Sequence, residues 1–136
     1  MEIRRLGARD GAVMDAAVRA FHGFELQTDP AFLADPRSLA FVALDGETVV
    51  GFAWGFELPQ PVGGPSDLLC GLEVAEAVRE HGVGKELLGA FVAGARARGA
   101  TKMWMLTNAG HRATRLLFED APNPGEQGLG PWWVMG

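Results

Sequence analysis

The sequence contains no tyrosine and a single cysteine, Cys70. One thiol cannot form a disulfide within the chain, which fits a reducing compartment, and we therefore expect a cytoplasmic protein. The three histidines, His22, His81 and His111, lie far apart and have no Cys or His partner at the spacing of zinc ligands. We expect no bound metal.

Long apolar runs and an excess of cations are also missing. No stretch approaches the ~20 apolar residues of a membrane span, and residues 1–5 enter a periodic pattern without an apolar leader segment. We expect neither a membrane anchor nor a secretory signal. The net charge is -5, which argues against nucleic acid as the main partner because such binding depends on Lys and Arg contacts to phosphates. A negative surface is compatible with a cationic substrate.

The remaining composition is that of an ordinary globular protein. The chain has 136 residues, of which 48% are hydrophobic and 21% charged. This length can bury one core without disulfides or metals. We expect residues 1–136 to form a single domain.

The first third of the chain predicts a strand, two helices and a hairpin. Residues 2–6 alternate as a strand does, and Asp10 is placed to cap a helix from about residue 11 to 22. A second short helix should begin at Thr28-Asp29-Pro30, with proline near its first position. Strands at 39–44 and 49–56 should form a hairpin around Asp45-Gly46. The apolar face predicted for the first helix consists of Val13, Ala17, Ala20 and Phe21.

The rest of the chain predicts a second alternation of strands and helices. Residues 59–65 hold three prolines and two glycines and should be a loop. A strand at 68–74, an amphipathic helix at 83–98 ended by Gly99, a strand at 103–106 and a helix at 111–120 should follow. Cys70 should share the apolar face of Leu72 and Val74. The order is that of an α/β (α+β) fold with one mixed sheet, which residues 132–135 can extend.

The segment between the strand at 68–74 and the following helix carries the clearest functional signal. It reads Arg79-Glu80-His81-Gly82-Val83-Gly84, an R-x-x-G-x-G pattern followed by Lys85. The first backbone N–H groups of a helix have no intrahelical partner, and together with the helix dipole they form an anion site. Glycines allow a phosphate to approach the backbone, and Arg79 and Lys85 can add positive charge.

Two other phosphate-binding motifs do not fit this segment. The G-x-x-x-x-G-K-[ST] pattern of the P-loop is absent. A dinucleotide-binding fingerprint would need a third glycine and an acidic residue about 20 positions further on. A plain helix start with glycines and a solvated charge pair is the simpler alternative, which the length of the pattern disfavours.

The segment resembles motif A of the GNAT superfamily of N-acetyltransferases, [QR]-x-x-G-x-[GA] after a strand. The resemblance implies one domain with a mixed, mostly antiparallel sheet flanked by about four helices. It also implies that acetyl-CoA is the cosubstrate, with its pyrophosphate on the backbone of residues 79–84 and its pantetheine arm along the strand at Leu72 and Val74. Backbone N–H groups near that strand end would polarise the thioester carbonyl.

A second segment, residues 107–118, resembles the T-x-x-x-N-x-x-A-x-x-L-Y run of the same superfamily. His111 stands where the family has Asn, Thr114 where it has Ala, and Phe118 where it often has the Tyr that protonates the leaving thiolate. The resemblance places Phe118 beside the cofactor. With no Tyr in the chain, the thiolate would leave without a protein acid or take its proton through water.

The sequence is also similar to a subgroup, the aminoglycoside 3-N-acetyltransferases, over roughly residues 3–118. It implies acetylation of the 3-amino group of an aminoglycoside, an antibiotic-resistance activity. The acidic residue that the subgroup carries three positions before the motif-A valine corresponds to Gly71, so the expected acid is absent from that position.

Four carboxylates are the candidates for handling a cationic acceptor. Glu73, at the end of the strand beside the cofactor, can take a proton from the incoming amine, or it can be an outward charge at a strand end. Glu25, Asp29 and Glu57 can bind the acceptor, or they can be solvated surface charges. The acceptor can also be a peptide or a small-metabolite amine, and a weakly catalytic acyl-CoA-binding module is the alternative outside enzymes. The sequence leaves a homodimer open.

Overall fold

In the computed structural model, the residues described are 1–23, 27–105 and 132–134. The elements follow the predicted order, with a short 3-10 helix at Glu76–Val78 as an addition. They are β1 (Glu2–Arg5), α1 (Gly11–His22), α2 (Pro30–Ala34), β2 (Ser38–Asp45), β3 (Thr48–Leu58), β4 (Ser66–Val74), α3 (Val83–Ala97), β5 (Lys102–Met105) and β6 (Trp132–Val134). The predicted helix at 111–120 lies outside the described residues.

These strands form one sheet in the order β1-β2-β3-β4-β5-β6. All neighbours are antiparallel except β4 and β5, which are parallel with Ser66 opposite Lys102 and Leu69 opposite Met105. The predicted mixed, mostly antiparallel sheet is confirmed. The predicted hairpin is confirmed as well: β2 and β3 are joined through Gly46, whose φ of 61° is in the left-handed region that favours glycine.

The two faces of the sheet carry separate apolar clusters. One cluster packs beneath α3, where Leu87 and Phe91 have no exposed surface. Burying each such side chain contributes roughly 1.5–3 kcal/mol. The other cluster joins α1 and α2 to the opposite face through Met14, Ala17 and Phe52. Among the described residues, no helix has the length and apolarity to cross a membrane.

Three details of the predicted elements need correction. Asp10 precedes α1, but its carboxylate accepts from the Gly7 N–H at 2.7 Å and makes no cap bond to the helix. Ala20 is exposed, because the inward stripe of α1 is centred on Met14 and Ala17. Asp29, by contrast, caps α2 as the sequence indicates, accepting from the Ala31 N–H at 2.9 Å.

Cys70 is the third correction. In the register between β3 and β4, Trp54 is opposite Gly71 and Gly55 is opposite Leu69, so Cys70 is the extra residue of a β-bulge. Leu72 packs against the cluster beneath α3, whereas Cys70 is half-buried and belongs to neither cluster. A bulge interrupts the alternation of faces, and the prediction that Cys70 shares the face of Leu72 and Val74 was therefore wrong.

A buried ion pair holds the C-terminal end of α3 to the sheet. The Arg98 guanidinium, just past the helix, donates to both carboxylate oxygens of Asp67, and its Nη1 donates to the Ser38 carbonyl oxygen at 3.2 Å. Asp67 is 0% exposed and the Arg98 side chain 16%. The pair connects α3 to both β2 and β4.

Removing one member of this pair should be costly because the other charge stays buried. Arg98→Met should lower the free energy of unfolding by about 3–5 kcal/mol, measured by urea denaturation. Arg4→Met, which breaks the exposed Arg4–Glu2 pair, should change it by less than about 0.5 kcal/mol. Equal effects of the two substitutions would contradict the anchoring role of Arg98.

Candidate functional site

The loop between β4 and α3 is fixed by backbone hydrogen bonds. The Ala75 N–H donates to the Val50 carbonyl oxygen at 2.9 Å, which ties the end of β4 to β3. The His81 N–H donates to the Val78 carbonyl oxygen at 3.1 Å, and Glu86 N–H closes the first turn of α3 on Gly82 at 3.1 Å. These bonds hold the N-terminus of α3 next to the C-terminal end of β4.

Gly82 is the residue before α3, and its backbone is left-handed, with φ 78° and ψ 10°. A Cβ at this position would have nothing within 4 Å, so the need for glycine comes from the backbone conformation. No side chain of the described residues caps the helix here. The first N–H groups of a helix have no intrahelical partner, and the helix dipole favours an anion at this end.

The start of α3 lies close to the sheet because of Gly51 in β3. A Cβ on Gly51 would be 2.6 Å from Leu87 Cδ1 and 3.1 Å from Val83 Cγ1. Val83 is fully buried, so its side chain belongs to the core beneath α3. Gly84 is buried as well.

The charged side chains of the loop are on the surface. Arg79, Glu80, His81 and Lys85 are all exposed. Arg79 Nε is 3.4 Å from the Val74 carbonyl oxygen, which folds this cation back over the end of β4. Arg79 and Lys85 place two positive charges beside the helix start, among the carboxylates of Glu76, Glu80 and Glu86.

The second half of β4 has one edge without a described strand beside it. In the described part of the chain, the pairing of β4 with β5 ends at Leu69 and Met105, whereas β4 continues to Val74. Leu72 and Val74 direct their side chains to the cluster beneath α3. Leu72 and Val74 would therefore contact a ligand at this edge through their backbone.

Glu73 lies on the opposite face of β4. It is opposite Phe52, a member of the α1-side cluster, and shares its face with Gly71 two residues earlier. Its side chain is partly exposed. The carboxylate therefore belongs to the face that carries α1 and α2.

Asp29 and Glu57 line the same cleft, of about 490 Å³, between α2 and the end of β3. Glu57 is opposite Asp67 in the register, six residues before Glu73 along β4. At about 3.3 Å per residue this is roughly 20 Å. The structure brings Asp29 and Glu57 together but does not bring Glu57 to Glu73. Glu25 and Phe118 lie outside the described residues.

A cation of the protein itself lies in that cleft. Arg37 donates to Asp35 through Nε and Nη2, which raises the pKa of Arg37, and Glu57 raises it further. The same contacts lower the pKa of Asp35. Glu57 thus already faces a positive charge within the cleft.

The bulge at Cys70 was not predicted from the sequence. Trp54 is opposite Gly71, and its ring makes an edge-to-face contact with Phe32 of α2, with 5.7 Å between centroids. Glycine within a strand signals a bulge or a close approach, and Gly71 was the available clue. In the described ranges no group of three or more His, Cys, Asp or Glu side chains is arranged to hold a metal ion.

The N-terminus of α3, which no described side chain caps, thus lies next to the C-terminal end of the bulged strand β4. The family model of the acetyltransferase (GNAT) family matches residues 11–119. The chain belongs to this family and is an acetyltransferase. No curated protein matches the sequence significantly.

Solved structures share the fold at low sequence identity. An aminoglycoside acetyltransferase, meta-AAC0020, from an uncultured soil metagenomic sample, in complex with sisomicin, has a TM-score of 0.80 at 21% identity, covering 94% of this chain and 91% of that chain. A ribosomal-protein-alanine N-acetyltransferase from Brucella melitensis biovar Abortus 2308 has a TM-score of 0.73 at 21% identity, covering 93% and 94%. The aminoglycoside N-acetyltransferase AAC(6')-Iy in complex with CoA has 0.68 at 20%, covering 87% of each chain.

Burial raises the pKa of the Cys70 thiol, which makes a pH-dependent prediction. The unfolded chain should lose this proton first, near pH ~8.5. The contribution of the thiol to stability is therefore present below that pH and lost as the pH rises toward the folded pKa. Alkylation by iodoacetamide, which needs the thiolate, should reach its half-maximal rate at higher pH in the native protein than in urea. A native midpoint at or below the unfolded one would contradict the assignment.

Proposed function

We propose that this acetyltransferase uses acetyl-CoA to acetylate a primary amine of a polycationic small molecule, with an aminoglycoside, at its 3-amino group, as the best-supported acceptor. The observation that carries the proposal is the N-terminus of α3 beside the end of β4, in a chain of the GNAT family. We also propose that residues 1–136 act as one cytoplasmic domain.

The residues at the start of α3 fit the pyrophosphate of coenzyme A. Gly82, with its left-handed backbone, precedes the first turn of α3, which no described side chain caps, and Arg79 and Lys85 are exposed nearby. Backbone N–H groups and a helix dipole favour a doubly charged anion at this position. Glu80 and His81 have exposed side chains, and their proposed contribution is their backbone.

The edge of β4 beyond Leu69, which has no described strand beside it, fits the extended pantetheine arm. Acetyl-CoA supplies the acetyl group as an activated thioester. The backbone of Leu72 and Val74 would orient the arm, and an N–H group of the same segment would donate to the carbonyl oxygen. The bulge at Cys70 bends β4 just past Leu69, the last residue of β4 with a described partner in β5. Phe118 is proposed to pack beside the cofactor, as its place in the family pattern implies.

Glu73 is the proposed base. Glu73 lies on the face of β4 that carries α1 and α2, whereas Leu72 and Val74 lie on the face covered by α3. The carboxylate is therefore separated from the side of β4 that is proposed to bind the cofactor. An ammonium group must lose a proton before its nitrogen can attack a carbonyl, and a partly exposed carboxylate can accept that proton directly or through water. The sequence has no tyrosine, so the proton for the leaving thiolate is proposed to come from water.

The negative charge of the protein is the basis for proposing a polycationic acceptor. The net charge is -5, and Asp29 and Glu57 line one cleft on the acceptor face. Glu25 is proposed to add to this negative surface. Exposed carboxylates each contribute modestly, which favours an acceptor with several ammonium groups. Two of the compared structures are aminoglycoside acetyltransferases, one of them in complex with sisomicin.

A peptide N-terminus is the second candidate acceptor. It is favoured by the ribosomal-protein-alanine N-acetyltransferase, which is as similar in sequence, at 21% identity, as the aminoglycoside enzyme with sisomicin. A peptide brings one ammonium group, and its binding should depend less on salt than that of a polycation, since exposed charge pairs are screened over ~8–10 Å.

Acetyl-CoA binding can be tested with two glycines of α3. Gly82→Ala forces a side chain onto a left-handed backbone and should cost about 1–2 kcal/mol. Gly89→Ala, in the exposed middle of α3 with nothing within 4 Å of the added Cβ, should gain about 0.5–1 kcal/mol. Acetyl-CoA should raise the Tm of the wild type and of Gly89→Ala but raise that of Gly82→Ala much less. An equal rise in all three would contradict the proposed pyrophosphate site.

Turnover identifies the acceptor. Release of the CoA thiol should be measured with sisomicin, gentamicin, an alanine-initiated peptide and a short alkyl diamine. Aminoglycosides should give the highest kcat/KM, and their KM should rise with salt. Glu73→Gln should lower kcat by at least about tenfold, while Glu47→Gln, in the distant β2–β3 turn, should not.

Each outcome of this assay has a distinct meaning. Preference for the peptide would overturn the acceptor and leave the acetyltransferase in place. Acetyl-CoA binding without turnover of any amine would instead favour an acyl-CoA-binding module. An unchanged kcat in Glu73→Gln would remove Glu73 as the base.

A further inference from the structure

Trp54 occupies the position where β3 and β4 face α1 and α2, next to the bulge. It is opposite Gly71, and Glu73 is its diagonal neighbour on the same face of β4. Diagonal neighbours in an antiparallel pair lie roughly 7–8 Å apart at Cα, within reach of a large aromatic ring. An amine beside Glu73 would therefore be close to the indole.

The indole lies directly on the backbone of Gly71. A Cβ on Gly71 would be 2.3 Å from Trp54 Nε1, 2.9 Å from Cδ1 and 3.2 Å from Cε2. All three atoms belong to one rigid ring, so any side chain at position 71 would displace the whole indole. Trp54 can therefore keep this position only with glycine at position 71, which excludes a carboxylate there.

Phe32 holds the ring from the other side. The two rings are 5.7 Å apart at their centroids and inclined by 86°, the edge-to-face geometry that aromatic pairs prefer. Phe32 also lines the cleft that contains Asp29 and Glu57. Trp54 keeps part of its surface exposed. The aromatic pair therefore connects the neighbourhood of Glu73 to the acidic cleft.

We propose that Trp54, seated on Gly71 and held by Phe32, is a specificity-determining residue that forms an aromatic wall of the acceptor site. This inference rests on the proposed function. An indole face attracts an organic ammonium group and packs against the carbon frame that bears it. The wall would thus favour large cationic amines over small ones, taking the place of a carboxylate at position 71.

Kinetics of Trp54→Leu and Trp54→Phe test the wall. Trp54→Leu should raise the KM for sisomicin by about tenfold and leave its kcat and the KM for acetyl-CoA within about threefold. The KM for a short alkyl diamine should change by less than about twofold, because a small amine gains little from the wall. Trp54→Phe, which keeps an aromatic face in the same cluster, should lie between wild type and Trp54→Leu. A purely structural role would lower the Tm and affect both amines equally, which would overturn the proposal.

A double-mutant cycle tests the dependence of Trp54 on Gly71. Gly71→Ala alone should raise the KM for sisomicin about as much as Trp54→Leu. In the Trp54→Leu background it should add less than about twofold, because the ring it displaces is already gone. Additive effects would overturn the coupling. Turnover by the wild type with an unchanged KM in Trp54→Leu would reject this inference alone, whereas a wild type that acetylates no amine would reject the proposed function and the inference with it.

Discussion

The parallel pairing of β4 and β5 is the constraint on which the architecture depends. Two parallel neighbours need a crossover that returns the chain to the starting edge, and here α3 is that crossover. Its N-terminus must lie at the C-terminal end of β4 and its C-terminus near the beginning of that strand. Close approach at Gly51 and the Arg98–Asp67 pair hold these two ends to the sheet. The position of the helix start beside the end of β4 is thus a consequence of the topology.

In the proposed reaction, the two faces of the sheet have different roles. Leu72 and Val74 belong to the face covered by α3, while Gly71 and Glu73 belong to the face of α1 and α2. Because successive side chains of a strand point to opposite faces of the sheet, these two pairs of residues are separated by the strand itself. A cofactor at the edge and an acceptor on the far face would then meet at the backbone of β4.

The sequence was informative where local chemistry decides the structure. The stripe of α3, the cap at Asp29, the turn at Gly46 and the stop at Gly99 follow from periodicity and backbone preferences. The bulge at Cys70 was not predicted, because a bulge depends on which residues face each other across two strands. The buried Arg98–Asp67 pair joins residues that are 31 positions apart in the sequence, and no local sequence pattern predicts it. The grouping of Asp29 with Glu57 likewise needs the sheet register.

The bulge in β4 has a consequence for how this strand can change by insertion and deletion. Leu69 and Gly71 already face consecutive residues of β3. A chain lacking the codon for Cys70 would therefore keep Leu69, Gly71 and Leu72 on their present faces, and the core contacts of both clusters would survive. What such a chain would lose is the bend of the strand beside the free edge. Deletion of this one codon would therefore preserve the fold while changing the shape of the proposed site beside β4.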